Sequence, residues 1–63
     1  MYQIIVFSNN QPPSFYNCTG ARNLIYQLQW IKENMVLAEK LVIYNIDDRD
    51  QAMIPLMSLD MKS

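Results

Sequence analysis

Leu41-Val42-Ile43-Tyr44-Asn45-Ile46 is the stretch that decides the fold. It is almost uninterruptedly apolar and rich in β-branched and aromatic residues, so it reads as a strand. Successive side chains of a strand point to opposite faces. Leu41 and Ile43 therefore point one way, and Val42, Tyr44 and Ile46 the other. Both sets are apolar, the pattern of a strand covered on both faces. The rest of the chain is read by asking what supplies those two covers.

Working back toward the N-terminus, Ala21, Leu24, Ile25, Leu28, Ile31 and Met35 recur at helical spacing, which predicts a helix near 20–36. Asn17 and Thr19 are candidate N-caps, because their side-chain oxygens can accept orphan backbone N–H groups. Lys32 and Lys40, toward the far end, suit the helix dipole. Tyr2 to Ser8 is again β-branched and aromatic and predicts a strand near 2–8. Asn9-Asn10-Gln11-Pro12-Pro13 breaks it, since two prolines remove two backbone donors. Ser14 to Asn17 is a candidate short extra strand.

Beyond the central stretch, Asp47-Asp48-Arg49-Asp50 reads as a turn. Ala52-Met53-Ile54-Pro55-Leu56-Met57 reads as a returning strand near 52–57. Pro55 cannot donate to a ladder, which assigns that strand to a sheet edge. Leu59 to Ser63 reads as a tail. The expected fold is α+β, a single domain over 1–63. It is a small β-α-β-β sandwich in which one amphipathic helix packs on one face of a mixed sheet. That sheet has three strands, or four if residues 14–17 pair. A helical crossover would set the first and second main strands parallel. One helix covers one face only, so the second apolar face needs a cover that the chain does not supply.

The size makes the same point. A 63-residue chain buries only ~60% of its unfolded surface, roughly 6,500 Å². The apolar part contributes on the order of 90 kcal/mol, and ordering the chain costs on the order of 90 kcal/mol. Small domains escape this balance with disulfides, metals or association. A single Cys18 excludes an internal disulfide, and one Cys with no His argues against zinc. Association is the remaining route, either with a second copy or with another protein. An apolar content of 51% with a net charge of -1 argues against disorder. No apolar run approaches the ~18 residues of a membrane span. Five scattered basic residues offer no phosphate-binding stripe, so nucleic acid is not the expected partner. The start lacks a basic region and a small-residue cleavage site, which points to a cytoplasmic protein with Cys18 reduced.

The helix carries a second feature. At about 100° per residue, Leu24, Leu28, Ile31 and Met35 cluster on one side. Tyr26, Trp30 and, if the helix continues, Leu37 fall nearly opposite. A core-facing helix needs one apolar stripe, and this one has two. Large aromatics in a polar setting are residues that anchor interfaces, so Tyr26, Trp30 and Leu37 are the candidate partner-binding residues. The competing reading lays both rings under the 9–16 loop or flat on the surface. By this reading Leu28→Ala costs roughly 2–5 kcal/mol of stability, whereas Trp30→Ala weakens association.

Chemistry finds little support. Cys18 near a helix start, with Arg22 one turn on, is a candidate anion or thiol site. The three residues between them fall short of the five that phosphate-cradling Cys–Arg loops use. Asp47, Asp48 and Asp50 lack the Gly and the closing Glu of a calcium loop. No metal or cofactor is expected. The function expected is a non-enzymatic protein-interaction module, of the type found among small phage or mobile-element accessory proteins that bind and modulate a host protein. The alternative is an oligomeric small-ligand binder or minor enzyme with a site between subunits.

Overall fold

The computed structural model describes residues 1–48 and 54–61. In chain order it contains β1 (Tyr2–Ser8), β2 (Ser14–Cys18), α1 (Gly20–Asn34), β3 (Ala38–Asn45) and β4 (Met57–Asp60). The strands form one sheet in the order β2-β1-β3-β4. Every neighbouring pair is antiparallel. One helix lies against one face of this sheet, so the α+β class stands.

The mixed sheet and its parallel pair do not. Ser14–Cys18 is a full strand that pairs with β1 from Tyr2↔Cys18 to Val6↔Ser14. The chain has therefore reversed direction once before the helix begins. The crossover through α1 joins β2 to β3, which run the same way with β1 between them. The β1–β2 turn that causes this is local. Gln11 N–H donates to Ser8 O at 3.3 Å, and Asn10 holds a φ of 59°, a left-handed conformation that Asn tolerates.

Residues opposite one another in an antiparallel register share a face. Tyr2, Ile4 and Val6 of β1 thus share a face with Cys18, Tyr16 and Ser14 of β2 and with Ile43 and Leu41 of β3. Leu59 and Met57 of β4 continue it. This is the face under α1. Its core is Ile4, Val6, Cys18, Leu41 and Ile43, closed by Ile31 from the helix and Ala38 from the start of β3. Leu24 and Leu28 of α1, and Met35 at its C-cap, pack against that core, as the helical spacing requires. Leu28 itself stays half-buried, so Ile31, at 0% exposure, is the helix's true core residue.

Several boundaries move. β3 starts at Ala38 rather than Leu41 and ends at Asn45, with a register irregularity opposite Phe7/Ser8. The helix stops at Asn34 instead of residue 36, so Leu37 is not helical. β4 occupies Met57–Asp60, where the tail was expected, and Ile54 to Leu56 precede it outside any strand. Ala52 and Met53, and Arg49 and Asp50 of the expected turn, lie outside the described residues. Leu56 N–H donates to Ile43 O at 2.7 Å, so pairing begins only after Pro55, the residue without a donor.

Candidate interaction site

The side of the molecule formed by β2 and α1 gathers most of the aromatic surface. Cys18 ends β2 in the core, and Thr19 follows as the N-cap in an extended conformation. Its hydroxyl accepts no backbone N–H; the Asn23 side-chain amide reaches back instead, donating to Thr19 O at 2.7 Å and to Thr19 Oγ1 at 3.1 Å. Asn17, the other candidate cap, lies within β2. Gly20 turns the chain into the helix at a φ of 81°.

Tyr16 is braced between two helix-end residues. Its ring lies 6.3 Å from that of Trp30, tilted by 55°, within the range of favourable aromatic pairs. Its hydroxyl donates to Met35 Sδ at 3.2 Å. The last turn is tied off where Asn34 Nδ2 donates to Trp30 O at 2.9 Å. Trp30 thus rests on Tyr16 with 48% of its surface exposed, and Tyr26, one turn back, is 64% exposed. Leu37 is equally exposed, but it sits in the α1–β3 connection. It lines a hollow of about 240 Å³ with Ser8, Gln11 and Met35, and does not extend the Tyr26–Trp30 ridge along the helix.

The other sheet face carries Gln3, Ile5 and Phe7 of β1, Phe15 and Asn17 of β2, Val42 and Tyr44 of β3, and Lys40 opposite Asp60. No helix covers it. Phe15 is 60% exposed, and Ile5 and Tyr44 are half-buried. Val42 is buried but stands apart from the core cluster. Phe15 is not among the partner-binding residues that the helical wheel points to. Its signal is visible only once residues 14–18 are granted a strand, which puts it on the opposite side from Tyr16.

A groove of about 370 Å³ opens on the helix side, where Leu28 and Lys32 of α1 stand over Leu41, Leu59 and Met61. α1 is set toward β2 and leaves this gap above β3 and β4. Cys18 is buried in the core, and desolvation pushes its thiol pKa up, whereas a nucleophilic thiol needs a lowered one. Arg22 is exposed. Asp47 pairs with the Met1 amino group, and its N–H takes the Asn45 side-chain oxygen at 3.2 Å, as in an Asx turn. Among the described residues there is no group of three or more His, Cys, Asp or Glu placed to hold a metal, and no helix long and apolar enough to cross a membrane. Compared with protein-family models, with curated proteins and with solved structures, the chain matches none.

Proposed function

We propose that this chain is a non-enzymatic protein-interaction module that works by occupying a surface of another polypeptide. The observation that carries the reading is the exposure of three aromatic rings, Phe15 on β2 and Tyr26 and Trp30 on α1. Rings of this size are the commonest anchors of interfaces. Two of them stand on a helix whose core stripe is filled by other residues, so Tyr26 and the exposed half of Trp30 are open to a partner. The uncovered sheet face, with Ile5, Phe7 and Tyr44, adds apolar surface of the same kind. A cytosolic setting goes with this reading, because the free thiol of Cys18 stays reduced there.

The test compares wild type with a Tyr26→Ala, Trp30→Ala variant, both shown folded by circular dichroism, in affinity capture from host lysate. Loss of a captured protein with the variant is the expected outcome. Equal capture by both removes these two residues as anchors. A second reading, a small-ligand binder, is favoured by the apolar groove at Leu28, Leu41 and Leu59, whose volume of about 370 Å³ lies in the roughly 300–1,000 Å³ range of ligand sites. Native mass spectrometry of purified protein decides it: a retained small molecule released by Leu59→Trp supports that reading.

A further inference from the structure

The two edges of the sheet are guarded unequally. β4 is four residues long, follows Pro55 and ends in Asp60. Short strands, charges and prolines are the usual means of keeping an edge from pairing with another chain. β2, the opposite edge, is Ser14-Phe15-Tyr16-Asn17-Cys18. It contains no charge and no proline, and its bulge-free register with β1 runs over all five residues. Its outer N–H and C=O groups are unpaired by any described strand.

We propose that β2 pairs with β2 of a second copy, antiparallel about a two-fold axis through Tyr16, making one continuous eight-stranded sheet. The proposal rests on the interaction-module reading and names its partner. Three features favour a second copy over a foreign strand. A two-fold interface brings each residue near its own copy, so a charge at the centre would repel itself, and β2 has none. The register centred on Tyr16 uses the whole strand: Ser14 meets Cys18 of the other copy and Phe15 meets Asn17. It also keeps the faces matched, because each opposed pair lies on the same side of the sheet. Both helices then lie on one face, either side of the seam.

The aromatic ridge explains why the edge alone need not hold the dimer. Trp30 leans on Tyr16, at the β2 side of the helix and away from the groove. Pairing the edges brings Trp30 and Tyr26 toward their copies above the seam, while Phe15 extends the seam on the open face. Three rings about half exposed carry on the order of 300 Å². With the backbone edge of a strand ~17 Å long, each copy approaches the area at the lower end of stable interfaces, roughly 600 Å² per partner.

The experiment is sedimentation equilibrium over a wide concentration range on five proteins. Wild type should dimerise. Phe15→Lys with Asn17→Lys sets like charges across the seam and should weaken the dimer at least ~10-fold. Phe15→Glu with Asn17→Lys loses the same ring but sets opposite charges across the seam, and should dimerise measurably more tightly than the double-lysine variant; it also controls for folding, since the same two exposed positions change. Trp30→Ala should weaken the dimer about 10-fold, and Phe7→Thr, on the open face away from the seam, should leave it unchanged. A wild type that stays monomeric overturns the proposal, as does equal dissociation of the two charge variants or a dimer lost with Phe7→Thr, which would mark face-to-face packing. A monomer whose lysate capture still depends on Tyr26 and Trp30 would defeat this proposal alone, while loss of both results defeats the module reading too.

Discussion

Leu41 and Ile43 on β3 point at α1 and keep 2% of their surface each, while Phe15 on β2 points to the other face and keeps 60%. The same sheet therefore carries two apolar faces with different fates. One has a helix and, around Ile31, a packed core that leaves a groove above β4. The other has Phe7 and Phe15 open to water. Hydrophobicity of the side chains does not separate them. What separates them, among the described residues, is the covering helix, and most of the fold's stability should reside on the side where that helix lies.

The largest effect is expected on the covered face. Ile31→Ala removes a side chain with no exposed surface and should cost about 2–5 kcal/mol. Stabilities of domains are only ~5–15 kcal/mol, so thermal and urea melts should show a marginal or unfolded protein. Leu28→Ala, half-buried at the groove, should cost less. Equal losses at the two positions would mean that the groove is filled in solution. Next comes the joint that swings the helix over the sheet. Gly20 has a φ of 81° and open space where a Cβ would stand. Gly20→Ala therefore costs backbone strain alone, about 1–2 kcal/mol. Gly20→Asn should recover part of it, because Asn visits this conformation more readily. If both variants match wild type in urea, the joint is not strained and the helix is held by its packing.

Much of this was legible in the residues, for reasons that differ along the chain. Tyr2–Ser8 and the start of the helix were readable because period and propensity agree there, and the two-faced character of residues 41–45 followed from alternation alone. The sheet's direction was not readable, since it hinged on whether Ser14–Cys18 pairs. Five residues of mixed polarity carry too little pattern to declare a strand; the β1 register creates it. β4 begins at Met57 and not within residues 54–56, because Pro55 carries no donor for a ladder there. Of the candidate site, the exposure of Tyr26 and Trp30 could be read from the helical wheel. The Trp30–Tyr16 contact could not, because its partner's strand was itself uncertain from sequence.

A smaller effect sharpens the comparison from the end of β2. Cys18 lies on the covered face, and burial raises its thiol pKa above the ordinary value of 9.0. The folded state then holds its proton more tightly than the unfolded state does. The contribution is fully present below pH 9.0 and is lost as pH rises toward the folded pKa. Urea midpoints should therefore fall on alkaline titration more steeply in wild type than in Cys18→Ala, which keeps the tyrosines as common background. Parallel curves for the two proteins would show that the thiol is hydrated in the fold.

The smallest effect is expected on the open face, and it is the most informative. Phe15→Thr puts another good strand former at this place in β2 and removes a ring that is mostly in water already. In dilute solution its stability should lie within about 0.5 kcal/mol of wild type. A loss comparable to that of Ile31→Ala in dilute solution would mean that this face is covered within one chain, and the contrast between the faces would collapse. The two-fold model makes a further demand. A partner that binds only the folded chain stabilises it by mass action, so the wild-type melting temperature should rise with protein concentration, and Phe15→Thr, which trims the seam, should flatten that rise. The same substitution would then be nearly silent in one chain and visible in two, and this places Phe15 at a seam between molecules while the rest of the open face stays open.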